Sequence, residues 1–232
     1  MPRAYDRAIT IFSPEGRLYQ VEYALELVKR GAPIIGIACP EGVVIAANET
    51  PESDLEDPDY FRKIYQLDDH LASAISGLSS DARVLIGQAR VYCQSNKLLY
   101  DEAVDVEILA RRLGDMSQAY TQHAGVRPFG VTMILAGVDA TGPRVLTTDP
   151  SGAYRGFKAV AVGRKNDEAN KLLEEKYTDD ITLEGAIRLA IEAVKIASDT
   201  QVNGETVKVA VIPADTKVFR RLETEETKSY LS

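Results

Sequence analysis

The sequence predicts an α+β protein in which two β-sheets stack face to face between two layers of helices, a four-layer αββα sandwich with an additional N-terminal helix. Three observations predict it. The elements run helix, four strands, two helices, three strands, two helices, two strands. The helices come in pairs, and a pair does not serve as the single crossover of a doubly wound parallel sheet. Strand candidates such as Val43-Val44-Ile45-Ala46-Ala47 are continuous apolar runs rather than alternating ones, which suits sheets buried on both faces.

Residues 1–12 carry mixed charge and then Ile9, Ile11 and Phe12. Ser13-Pro14-Glu15-Gly16 places Pro at the second and Gly at the fourth position of a turn. From Arg17 to Arg30, Leu18, Val21, Leu25 and Val28 share one helical face. Gly31 is expected to end this helix as a left-handed cap. Ile34–Cys39 and Val43–Ala47 flank Pro40-Glu41-Gly42 as a hairpin, and Ile64–Leu67 and Leu71–Ser76 flank Asp68-Asp69 as a second. Between the hairpins, Glu49–Tyr60 is acidic and carries Pro51 and Pro58, so it reads as a loop. Helices are expected from Ser80 to about Leu99, with Val84, Ala89, Val91 and Leu98 among the buried candidates, and from about Val106 to His123. Strands follow at Val131–Val138, Arg144–Thr148 and Ala159–Val162, then helices at about Asn166–Tyr177 and Leu183–Asp199. Strands at Val207–Ile212 and Lys217–Arg220 precede a charged, helical or frayed tail, Glu223–Ser232. The whole of 1–232 reads as one domain: tail and helix over 1–30, sandwich over 31–222, charged tail over 223–232.

Composition narrows the function. Twenty-seven Lys and Arg against 35 Asp and Glu leave a net charge of −8. That argues against a nucleic-acid binder or a polybasic membrane-surface protein. Only two cysteines are present, Cys39 and Cys93, in segments read as a buried strand and a helix, so a reducing compartment is the simpler reading. The longest apolar stretch, Val131 to Val138, is too short to span a bilayer. A soluble cytoplasmic protein is expected. His70 and His123 lack ligand-spaced companions, and no metal or cofactor site is expected. Val162-Gly163 before a helix lacks the Gly-rich phosphate fingerprint and reads as a structural turn.

Ala4-Tyr5-Asp6-Arg7-Ala8-Ile9-Thr10, Phe12-Ser13-Pro14-Glu15-Gly16-Arg17-Leu18 and Gln20-Val21-Glu22-Tyr23-Ala24 together resemble the N-terminal signature of proteasome α subunits. Ser76-Gly77-Leu78, Asp81-Ala82-Arg83-Val84-Leu85, Gly125-Val126-Arg127-Pro128-Phe129-Gly130, Gly142-Pro143-Arg144 and Asp149-Pro150-Ser151-Gly152 continue the resemblance in order, and it is nearest to the archaeal members. The resemblance implies the N-terminal-nucleophile hydrolase fold. It implies a homo-heptameric α ring that caps β subunits of a barrel-shaped threonine protease, docks an AAA ATPase activator and admits unfolded protein substrates. The β-type relatives use a threonine exposed at the start of a strand as nucleophile and base. Here that strand opens at Gly31-Ala32-Pro33, and Thr10 and Thr50 do not open a strand. A non-catalytic α role is therefore expected, with a self-sufficient threonine peptidase of β type as the alternative and a non-proteolytic ring as a third reading.

On its residues alone, Lys63 reads as a solvated surface lysine. The resemblance instead puts it in a pocket between neighbouring chains of the ring, where its point charge meets the C-terminal carboxylate of an activator tail. Gly31, Gly77 and Leu78 fall where that pocket is lined. Glu22 has two readings, an activator contact and a helix surface charge. The resemblance assigns Tyr5, Asp6, Arg7, Pro14 and Tyr23 to the gate that holds the N-terminal tails. Three departures matter. Only four residues precede Tyr5, and such short tails are expected to seal an axial pore incompletely. Asn48-Glu49-Thr50 and the acidic loop replace a stretch that is commonly basic. Leu25 stands where relatives often have arginine.

Overall fold

The computed structural model describes residues 10–51, 53, 55–57, 60, 62–199 and 202–231. Tyr5, Asp6 and Arg7 lie outside the described residues. The N-terminal helix α1 spans Tyr19–Arg30 and buries Val21, Ala24 and Val28, while Leu18 stays outside it as the N-cap residue. β1 (Ile34–Cys39) and β2 (Gly42–Asn48) form the first predicted hairpin, and β3 (Ile64–Asp68) and β4 (Leu71–Gly77) the second. Helices α2 (Ser79–Tyr100) and α3 (Val106–Gln122) follow, then β5 (Val131–Asp139), β6 (Gly142–Thr148), β7 (Tyr154–Phe157) and β8 (Ala159–Val162). The chain ends with α4 (Asn166–Lys176), α5 (Leu183–Ala197), β9 (Val207–Pro213), β10 (Arg220–Arg221) and α6 (Thr224–Leu231).

The strands make two antiparallel five-stranded sheets, ordered β10-β9-β2-β1-β8 and β3-β4-β5-β6-β7. They stack as the pairing of helices predicts. Alternate residues of β1 divide between two cores, because successive side chains leave a strand on opposite faces. Ile35 and Ile37 pack with Leu173, Ile187, Ala190 and Val194 of α4 and α5. Ile34 packs with Ile134 and Val145 of the other sheet. That second sheet turns Ile75, Met133 and Leu135 toward Leu85, Ala89, Leu109 and Leu113 of α2 and α3. Both faces are therefore buried along the inner strands β1, β2, β4 and β5, which is why those strand sequences do not alternate. Cys39 and Cys93 are free and buried, and burial pushes the Cys93 thiol up to about 12.

The structure corrects five expectations. α2 buries Ala82, Leu85, Ile86, Ala89 and Cys93, whereas Val84, Val91 and Leu98 lie on its outer face, with Val91 at 61% and Leu98 at 86% exposure. Two apolar stripes compete on this helix, and the one rich in small residues fits against the sheet. β7 is absent from the sequence-based strands: Tyr-Arg-Gly-Phe is exposed along its whole length and carries no alternation to reveal it. The last strand is only Arg220–Arg221, because Lys217 has φ 53° in a turn closed by its N–H on Pro213 O. Gly31 is extended, at φ −67° and ψ 161°, rather than left-handed. Its reason is space, since a Cβ there would lie 2.7 Å from Gly77 N. Asp68 is not a simple turn residue: it is buried at the end of β3, its Oδ2 3.7 Å from His70 Nδ1.

Candidate functional site

Where α1 hands over to β1, four segments converge on the side chain of Ser76. Its hydroxyl lies 3.2 Å from Val28 O and 3.1 Å from Ala32 O, donating to the end of α1 and the approach to β1. Gly163, at φ 106°, brings the β8–α4 turn so near that a Cβ would stand 2.6 Å from Ala32 O. Arg164 N–H then donates to Gly31 O at 2.9 Å. Gly77 has φ 116°, and any Cβ on it would strike Gly130 O, the acceptor of Leu78 N–H at 2.9 Å. Small residues and left-handed backbone are thus required here by close approach of main chains.

The convergence leaves a pocket of about 500 Å³ lined by Gly31, Ala32, Asn48, Thr50, Lys63, Gly77, Leu78, Arg164 and Asp199 among others. Lys63, Gly31, Gly77 and Leu78, scattered in sequence, are brought together on its wall. Lys63 is only 6% exposed, so it is not a solvated surface lysine. Arg164 forms a 2.6 Å ion pair with Asp199 and also donates to Arg30 O at 3.1 Å. Lys165 reaches the same carboxylate at 2.7 Å, so two cationic groups surround one anion at the end of α1. The carboxyl of Asp199 is held below its ordinary value by hydrogen bonds from Lys165 and Arg164.

Glu22 is not in this pocket. It lies in a second hollow with Arg17, Tyr23 and Leu25, and accepts from Arg17 Nε at 2.8 Å. The Arg17 guanidinium holds the Glu22 carboxyl below its ordinary value. Pro14 occupies the expected turn, which is closed by Gly16 N–H on Ser13 O at 2.8 Å. Tyr23 is half exposed and stacks on Tyr19 with ring centroids 6.4 Å apart.

Sequence reasoning marked Glu49 only as part of an acidic departure and missed its burial and its partners. In the sequence it is one acid of a loop, yet its side chain is 3% exposed. Oε1 accepts from Lys63 N at 2.7 Å and from Ile64 N at 3.1 Å. Oε2 lies 3.4 Å from Arg221 Nη1, and Arg221 Nη2 donates to Ile64 O at 2.7 Å. A carboxylate immediately after a fully buried strand was the available signal.

A family model for proteasome subunits matches residues 28–212. The chain belongs to the proteasome subunit family. A separate model, for the N-terminal signature of A-type proteasome subunits, matches residues 5–26 and marks the chain as α type. The proteasome alpha subunit of Methanocaldococcus jannaschii is 49% identical over 230 residues, 99% of this chain and 88% of its own. That of Methanothermobacter thermautotrophicus is 47% identical over 227 residues, 98% of this chain and 92% of its own. That of Pyrococcus horikoshii is 46% identical over 228 residues, 98% and 87% respectively. As an α-type proteasome subunit the chain is a non-catalytic member of its complex. In keeping with this, α1 runs through Gly31-Ala32-Pro33 directly into β1, and no threonine opens that strand.

Proposed function

We propose that this proteasome α subunit forms a seven-membered ring that supports assembly of the β ring, gates entry to the proteolytic chamber and docks the C-terminal tails of an AAA ATPase activator. One observation carries the docking part: Lys63, Gly31, Gly77 and Leu78 line a single pocket. A tail carboxylate entering it meets the Lys63 ammonium through a charge-assisted bond. The Gly31 and Gly77 backbones form part of the wall that a peptide would lie along, and Leu78 gives an apolar contact. Tyr5, Asp6, Arg7, Pro14 and Tyr23 are proposed to hold the N-terminal tails in the open gate, and unfolded substrates to pass between them. Glu22 is proposed as an activator contact, in the second hollow beside α1.

The test is degradation of an unfolded protein by core particles assembled with β subunits, in the presence of an archaeal AAA ATPase. Lys63→Ala is expected to abolish stimulation by the ATPase in particles whose assembly is verified by native mass spectrometry. Undiminished stimulation would refute the docking role of Lys63.

A further inference from the structure

We infer that Glu49 is a positioning residue for Lys63, an inference that rests on the docking reading above. β3 is the outermost strand of its sheet, and among the described residues its outer edge has no neighbouring strand. Lys63 stands just before it, at the end of the long acidic loop, where a chain end would ordinarily fray. Two fixings prevent this. Ile75 N–H donates to Lys63 O at 3.0 Å from β4. On the other side the Glu49 carboxylate takes both the Lys63 and the Ile64 N–H, at 2.7 and 3.1 Å.

Glu49 is itself held. It follows β2 in the other sheet, its own N–H donates to Thr206 O at 2.7 Å, and its side chain is almost wholly buried. Arg221, on the edge strand β10 of that same sheet, reaches across to Ile64 O and stands beside Glu49 Oε2. Glu49 and Arg221 thus lash the start of β3 to the edge of the opposite sheet. A lysine side chain has several rotatable bonds, and ordering it costs rotamer entropy. Fixing its Cα limits that cost to the side chain alone and sets where the stem starts on the pocket wall. The acid does not oppose a tail carboxylate directly: its two oxygens face backbone amides and a guanidinium.

The test uses assembled core particles and a fluorescent peptide, the last ten residues of an archaeal AAA ATPase, with a free or an amidated C-terminus. Lys63→Ala is expected to abolish the preference for the free carboxylate. Glu49→Ala is expected to weaken binding of the free-carboxylate peptide about tenfold. Glu49→Gln, which keeps an oxygen for both amides, is expected to stay within about threefold of wild type. Hydrogen exchange of the Lys63 and Ile64 amides should quicken in Glu49→Ala and not in Glu49→Gln. If Glu49→Ala particles do not form, Glu49→Asp decides, because its carboxylate is one methylene short of the two amides and should weaken binding likewise. Wild-type affinity in Glu49→Ala or Glu49→Asp, with Lys63→Ala inactive, would overturn the positioning role and leave the docking reading standing. Wild-type affinity in Lys63→Ala would overturn both.

Discussion

Asp81 shows how one carboxylate supports the pocket from behind. It sits in the first turn of α2 and accepts Arg127 Nη1 and Nη2 at 2.6 and 2.8 Å. The same side chain accepts Gly130 N–H at 2.8 Å, and Gly130 O is the acceptor for Leu78 N–H on the pocket wall. Hydrogen bonding from Arg127 and from Gly130 N–H holds the Asp81 carboxyl below its ordinary value, against the opposing effect of burial. A carboxyl depressed in the folded chain adds stability above its unfolded pKa and loses it as pH falls through its folded value. The stability gap between wild type and Asp81→Asn should therefore be full at pH 7, at about 1 kcal/mol because Arg127 is largely exposed, and shrink as pH falls below about 4. Urea unfolding of both proteins from pH 7 to 3 checks this, and a gap that does not shrink would contradict it. At Gly77 the backbone itself is the constraint. Gly77→Ala should cost about 2–4 kcal/mol, since it adds a left-handed penalty to a clash with Gly130 O. A melting temperature within a degree of wild type would show that the turn yields.

Among the elements, the hairpins and paired helices were legible because each rests on a local pattern: turn residues between apolar runs, or a spacing of three and four. α2 was legible as a helix but not in its orientation. Ala82, Leu85, Ile86, Ala89 and Cys93 lie one way, Val84, Val91 and Leu98 the other, and periodicity alone does not say which stripe meets the sheet. Packing decides, because Ala82 and Ala89 let the helix approach β3 and β4 closely. Leu85→Ala should accordingly cost about 2–4 kcal/mol, and Val91→Lys should stay within about 0.5 kcal/mol, in denaturant unfolding of the separated chain. The reverse ranking would mean that the helix is turned the other way. The pocket was legible at Lys63, Gly31, Gly77 and Leu78 only through a family signature; what joins them is tertiary. Glu49 lies 14 residues from Lys63 in the chain and looks like its acidic neighbours, and only the fold buries it.

At the scale of the molecule, stability rests on three stacked cores, of which the middle one joins the sheets. Its contacts are intersheet ones, so no local pattern in the sequence encodes which residue faces which. Ile134 of β5 is fully buried there, and a Cβ on Gly36 of β1 would lie 2.7 Å from its Cγ2 and 3.0 Å from Val145 Cγ1. Glycine at 36 is therefore what lets the sheets close over a branched residue at 134. Ile134→Ala should cost about 2–5 kcal/mol, lowering the melting temperature by about 5–15 °C in a chain of this size. Gly36→Ala should cost about 1–3 kcal/mol by overpacking. The two changes meet in one space, so Gly36→Ala should cost less in the Ile134→Ala background, with a coupling of about 0.5 kcal/mol or more. A double-mutant cycle by denaturant unfolding reads that coupling. Strict additivity would mean that these two positions do not face each other across the sandwich.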